Sequence, residues 1–193
     1  MIRKKGLTLI ELLITMGLIG SILVVITSVY LVGFRTFREE LASSTVQSGA
    51  QTILDAVVTD VKNGMLIEQS YTSDDKTYTT GHDPEMIIIR VPAMNSSQQI
   101  IYDGTDMAFD RLIYYYLDNE IHKVTFANPA SVRYKNNGND AILDKHALSL
   151  SFAYDPDQFT ATLVTVTLKS NIQTGNRNKE ITISGSARLR NHI

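Results

Sequence analysis

The sequence predicts an α+β fold in which a long N-terminal α-helix, transmembrane over its first half, packs by its second half on an antiparallel β-sheet. Three observations predict it. Leu12 to Phe34 is an apolar run with no charged side chain; a helical spacing of apolar residues continues from there to Val61; and beyond Gly64 the alternation switches to a period of two. The 193 residues are 44% hydrophobic and 20% charged with a formal net charge of −2 and no cysteine. Those figures exclude a collagen-like, disulfide-stapled or wholly disordered chain. Near neutrality supplies no polyelectrolyte footprint, so a nucleic acid is not among the expected partners.

The apolar run comes first. Its 23 uncharged positions make a helix of about 35 Å, which matches a hydrocarbon core of about 30 Å. Arg3, Lys4 and Lys5 precede the run, whereas beyond it Arg35 and Arg38 are offset by Glu39 and Glu40. The positive-inside bias therefore places the N-terminus in the cytoplasm and the bulk of the chain outside. Ser28-Val29-Tyr30-Leu31-Val32-Gly33 lacks the A-x-A-like site at which an ordinary secretory signal is cut. Gly17, Gly20 and Ser21 are small residues inside the span, suited to close packing of helices or to local melting on assembly.

Glu11 stands at the head of the run, where an acid deep in the membrane would cost about 2.5–3.5 kcal/mol. Thr8-Leu9-Ile10-Glu11 has the form of a capping box, and a carboxylate in the first turn meets the positive end of the helix dipole. A second reading takes in the basic residues, Gly6 and the segment Leu7-Thr8-Leu9-Ile10-Glu11-Leu12-Leu13 together. On those residues the chain resembles the type IV prepilins and pseudopilins, whose signature is a short basic leader ending in glycine before a segment of the type F-T-L-I-E-L-L. The match runs over residues 3–32; Leu7 departs from it, since the family most often has phenylalanine there.

The resemblance implies a leader over residues 1–6, cut on the cytoplasmic side between Gly6 and Leu7 by a prepilin peptidase, with possible N-methylation of Leu7. It implies a transmembrane and filament helix over 7–34, an amphipathic half over 35–64 and a β-rich globular domain over 65–193. The expected place is the cytoplasmic (inner) membrane, single-pass, with the C-terminal domain periplasmic or extracellular, and a filament after assembly. Other pilins or pseudopilins, the peptidase, an inner-membrane assembly platform and membrane lipid are the expected partners; no cofactor is expected. Cutting after Gly6 removes three cations, taking the formal charge from −2 to −5, and creates an ammonium group at Leu7. Glu11 can neutralise that amine in its own chain or in the next subunit, and so set the stagger of a filament.

Past the bilayer, Phe34, Phe37 and Leu41 share one face, and Ala50, Ile53, Leu54, Val57 and Val61 then recur at helical spacing before the stop signal Asn63-Gly64. A helix from Leu7 to Lys62 would be about 84 Å long, too long for a compact domain of this size. The polar stretch Ser43 to Gln51, with Gly49, is where bending or fraying is expected.

Strands are expected over Met86–Val91, Gln99–Asp103, Arg111–Leu117, Glu120–Phe126, Ala147–Tyr154, Thr160–Lys169 and Glu180–Leu189. Asp118-Asn119 forms a two-residue hairpin turn, because both residues tolerate positive φ. One antiparallel sheet of five to seven strands follows, one face covered by the amphipathic half of the helix. Loops are expected at Ser70–Asp83, Asn136–Asp140 and Thr174–Lys179. The order of a long helix, a hairpin around Tyr115 to Ile121, the Ser151–Tyr154 strand and a terminal strand ending Leu189-Arg190-Asn191 resembles the J-type minor pseudopilins of type II secretion and their pilus and competence relatives.

Signatures of catalysis are not found. The chain has no cysteine, no G-x-S-x-G, no S-x-x-K with its partner motifs and no G-x-x-x-x-G-K phosphate loop. His82, His122, His146 and His192 are scattered singly. Asp155-Pro156-Asp157 and Asn136 to Asp140 read as turns rather than calcium loops. Tyr114, Tyr115 and Tyr116 alternate faces on a strand, so core and sheet-surface packing explains them better than a base-stacking platform. A non-enzymatic filament subunit is the expected function. The alternatives are an uncleaved, single-pass anchored β-domain that binds an envelope ligand and, further off, a membrane-tethered hydrolase.

Overall fold

The computed structural model describes residues 8–73, 75–82, 85–158, 160–174 and 177–190. One helix, α1 (Leu9–Asn63), precedes every strand. The strands are β1 (Leu66–Ile67), β2 (Ser70–Ser73), β3 (Lys76–Thr79), β4 (Gly81–His82), β5 (Glu85–Pro92), β6 (Tyr102–Asp103), β7 (Asp106–Met107), β8 (Phe109–Leu117), β9 (Glu120–Phe126), β10 (Asp140–Asp144), β11 (Ala147–Asp155), β12 (Leu163–Thr174) and β13 (Arg177–Arg188). The expected class is what forms, a long N-terminal helix followed by antiparallel β-structure. The chain divides into two compact units, Met1–Ser44 and Thr45–Ile193.

In the first unit, every large apolar side chain from Leu9 to Phe34 is at least 48% exposed. Helical structure runs unbroken through Ser43 to Gln51, so the fraying expected there does not occur. No proline interrupts the segment, and the hydroxyl of Thr52 just beyond it donates to the Ser48 carbonyl at 2.9 Å without breaking the ladder.

In the second unit, Ala50, Leu54, Val57 and Val61 are buried and Ile53 is half-buried against the same core. That is the face the apolar spacing marks out. They join Ile87, Ile89 and Val91 of β5, Leu112 and Tyr114 of β8, and Leu150, Phe152, Val164, Val166 and Leu168 of β11 and β12. Alternation along β5 and β8 sends Met86, Ile88, Ile113 and Tyr115 to the opposite face, where they form a second cluster with Tyr78, Val124 and Phe126.

Among the described residues two larger sheets and two two-stranded hairpins, β2–β3 and β6–β7, form rather than the single sheet expected. Of the larger two, one has the order β1-β5-β8-β9-β10 with β4 also on β5; the other is β11-β12-β13; all neighbours are antiparallel. Both turn an apolar face to the same core, which a one-dimensional pattern does not separate from a single sheet.

Ser70–Asp83 is not a loop. Tyr71 pairs with Tyr78 across the β2–β3 hairpin, and both rings lie on Phe126, with centroids 5.0 and 5.5 Å away. This hairpin covers the outer cluster, and Thr80 ties its base down by donating to the Glu68 carbonyl at 2.6 Å and accepting from the Ile88 amide at 3.2 Å. Asp83 itself lies outside the described residues.

Three smaller boundaries also move. Gln99–Asp103 shrinks to β6 on β7, and Asn136–Asp140 ends a short 3-10 turn and begins β10. Thr174–Lys179 belongs largely to the β12–β13 hairpin, whose strands pair from Leu163↔Arg188 to Thr174↔Arg177 without a break. The Asp118-Asn119 turn is as expected, with φ of 51° and 65°.

Candidate functional site

Gly6 and Leu7, the expected cleavage pair, lie outside the described residues; Glu11, the third expected site residue, does not. The Thr8 side chain and backbone meet the first helical turn because a carboxylate stands three positions on, the spacing of a capping box. Glu11 Oε2 accepts from the Thr8 amide at 3.1 Å and from Thr8 Oγ1 at 3.0 Å, and the Glu11 amide donates to Thr8 Oγ1 at 3.4 Å. Oε1 has no partner among the described residues. Among the described residues, then, one oxygen of the carboxylate is used in capping and the other has no cation beside it.

The apolar surface below Glu11 carries its hydroxyls in a form compatible with lipid. Thr15 donates to the Glu11 carbonyl at 2.5 Å, Ser21 to Leu18 at 2.8 Å, Thr27 to Leu23 at 2.8 Å, Ser28 to Val24 at 2.8 Å and Thr36 to Val32 at 3.1 Å. Each of these Ser and Thr hydroxyls is thus satisfied without water, as a hydrocarbon environment demands. The helix is long and apolar enough to cross a membrane. A Cβ added at Gly17, Gly20 or Gly33 would meet nothing within 4 Å among the described residues, so these glycines are not required there by a close approach.

The second half of α1 is held to the sheets by two devices. One is close approach: a Cβ at Gly185 of β13 would sit 3.0 Å from Val58 Cγ2, and one at Gly64 would sit 2.6 Å from Ile89 Cγ2. Gly64 therefore ends the helix as expected but not through a left-handed conformation; it is glycine because the β5 side chain occupies the space of a Cβ. The other device is polar. Asp60 of α1 accepts a short hydrogen bond from the Tyr114 hydroxyl and another from Lys123 Nζ at 2.7 Å, with the ammonium 5.1 Å from the Tyr114 ring centre. Burial first, and the Asp60 charge second, push the Tyr114 phenol far above its ordinary value near 10. Tyr115 and Tyr154 are raised too, each mainly by burial, with Asp140 and Glu85 respectively adding to it.

Sequence patterning did not single out Asp60 or Gly185, and it considered Lys123 only beside Tyr114 to Tyr116 as part of a base-stacking surface. A polar residue on an otherwise buried helix face, and a glycine inside a strand, were the available signals. Tyr115 does take the opposite face from Tyr114 and Tyr116, as its position on the strand requires.

Asp157 works as a turn former, its carboxylate accepting from the Thr160 amide at 2.9 Å and from Thr160 Oγ1 at 2.6 Å. Among the described residues no group of three or more His, Cys, Asp or Glu is arranged to hold a metal ion. No protein-family model matches the chain, and comparisons with curated proteins and with solved structures return no match either.

Proposed function

We propose that this chain is a minor pilin or pseudopilin, a non-enzymatic structural subunit of a type IV pilus, type II secretion or competence filament. On this reading it is inserted in the cytoplasmic membrane with its N-terminus inside, cut after Gly6 by a prepilin peptidase, and assembled through its N-terminal helix. The observation that carries the proposal is the combination of an exposed, uncharged helical surface from Leu12 to Phe34 with one acidic residue, Glu11, at its head and a basic stretch ending in Gly6 before it. A helix with that much apolar surface needs lipid or other helices around it. Moving from lipid into a bundle of copies exchanges one apolar environment for another, which lets the same surface serve both states.

Glu11 then selects the register. A new ammonium group at Leu7 of an incoming subunit that meets the Glu11 carboxylate is neutralised, and one out of register stays unpaired at low dielectric. The test is incorporation of Glu11→Ala into filaments. Normal membrane insertion with lost incorporation is expected; unchanged incorporation contradicts the role.

One observation favours a second reading. The Thr8–Glu11 capping box accounts for the acid locally, as it would in an uncleaved single-pass anchor whose β-domain binds an envelope ligand. Under that reading Glu11→Ala leaves function intact and only loosens the first helical turn.

A further inference from the structure

On the outer face of the larger sheet, two arginines share one acid. Arg90 of β5 and Arg111 of β8 stand opposite each other in register, and Glu68 is the carboxylate between them. Arg111 Nε donates to Glu68 Oε2 at 2.6 Å. Arg90 Nε is 3.7 Å from Oε1, buried, and without a hydrogen-bond acceptor. Both guanidinium groups are packed on rings, Arg90 at 3.6 Å from the centre of Phe109 and Arg111 at 4.4 Å from that of Tyr71. Arg133 does not share Glu68, because it pairs with Asp110 at 3.0 Å. Among the described residues the cluster therefore holds one more positive charge than negative, in a partly desolvated place where an unmatched charge is costly.

Beside it opens a cleft of about 410 Å³, within the size range of ligand sites, lined in part by Tyr71, Phe109, Arg111, Asn128, Tyr134 and Asn137. No described residue of its lining is acidic. The cleft is instead rich in donors. The side-chain oxygens of Asn128 and Asn137 are used locally, accepting from the Ala130 amide at 2.9 Å and the Ala127 amide at 2.8 Å. Their amide nitrogens, the Nη groups of Arg111 and the hydroxyls of Tyr71 and Tyr134 find no acceptor among the described residues. Arg90 is not itself part of the lining, but because it shares the one carboxylate with Arg111, the Arg111 guanidinium that faces the cleft is only partly neutralised, beside further donors and aromatic rings.

We propose that this cleft binds a carboxylate-bearing peptide segment of another protein. One surplus charge matches a monoanion, whereas a phosphate dianion would leave a negative charge unmatched. A planar carboxylate also fits the fork of a guanidinium whose Nε is already held. The amide and phenol donors suit main-chain carbonyls, and the exposed Tyr134 ring suits a flanking side chain. This interaction goes beyond filament assembly through the helix, and it stands whether or not the chain is cleaved.

The test uses the full chain in detergent micelles and saturation-transfer NMR. The probes are the blocked tripeptide acetyl-Ala-Glu-Tyr-amide, its Gln analogue and inorganic phosphate; the Gln analogue reports partition into micelles. The Glu peptide should bind at least tenfold more tightly than the Gln peptide, and Arg111→Gln should abolish that difference. Tyr134→Ala, at an exposed rim position that leaves the core untouched, should weaken the Glu peptide severalfold and keeps the test open if Arg111→Gln fails to fold. Equal binding of the two peptides, no binding of either, indifference to Tyr134→Ala, or displacement of the Glu peptide by phosphate at equal concentration would each overturn the proposal.

Discussion

Replacing Leu54 by alanine tests whether the second half of α1 is part of the core. Leu54 is 2% exposed and lies in the same cluster as Ile89, Leu112 and Val166. Removing three buried carbons at about 0.8 kcal/mol each forfeits about 2.4 kcal/mol of transfer energy. The close surroundings, where a Cβ added at Gly185 of β13 would meet Leu54 Cδ2 at 3.5 Å, leave a cavity that raises the total to about 3–4 kcal/mol. For a unit of this size, a loss of that magnitude lowers the melting temperature by about 6–15 °C. The chain has nine tyrosines and no tryptophan, so near-ultraviolet circular dichroism in detergent micelles follows packing of the tyrosines directly. Leu41→Ala is the control, since Leu41 lies in the other unit and is 51% exposed; it should shift stability by no more than about 0.5 kcal/mol. Equal melting temperatures for the two variants would refute the reasoning that the Ala50–Val61 face is core.

Further predictions follow from the same packing. A chain beginning near Phe34 should unfold in one cooperative transition, whereas one beginning after Gly64 should bind hydrophobic dyes, because its sheets lose their helical cover; equal thermal stability of the two would contradict the architecture. Gly185→Val should cost about 1–3 kcal/mol in denaturant unfolding, since its branches would enter the space of Val58 and Leu54. Tyr114 is held neutral in the folded state, so its contribution is complete below the ordinary phenol value of 10 and is lost as pH rises above it, by about 1 kcal/mol between pH 10 and 11. Urea titrations of Tyr114→Phe should lack that component of the alkaline decline, and an identical decline in both proteins would remove Tyr114 from the account. Gly6→Val should block removal of the leader, because a branched side chain crowds the scissile peptide; a mature Leu7 terminus in that variant would exclude the role of Gly6.

Periodicity made the helix and the long strands legible, because both are local patterns repeated over many residues. Ala50, Leu54, Val57 and Val61 announce a buried stripe, and Asp118-Asn119 announces a hairpin, without reference to anything distant in the chain. The division into two sheets was not legible. β10 and β11 are consecutive strands separated only by Lys145 and His146, yet one pairs with β9 and the other with β12, and nothing in their alternation says so. The β2–β3 hairpin was hidden by its polarity, since only Tyr71 and Tyr78 are apolar in it. Their symmetric placement about a polar turn was the one available signal, and the Phe126 ring that receives them is more than forty residues away.

Polar partners are harder still. Asp60 meets Tyr114 and Lys123 across separations of 54 and 63 residues, and Glu68 meets Arg111 across 43. These pairings follow from the register of β8 with β9 and β5, not from any motif. At Glu11 the sequence signal is sufficient for the cap and also for the resemblance to prepilins, and the capped geometry of a single chain is compatible with both.

The central claim, that this is a processed filament subunit, is tested most directly by the intact mass of the protein extracted from membranes after co-expression with a prepilin peptidase. Loss of residues 1–6, giving a chain that begins at Leu7 with or without one added methyl group, is the expected result. A mass that retains Met1 to Gly6 with the peptidase active on a known substrate in the same cells would contradict it.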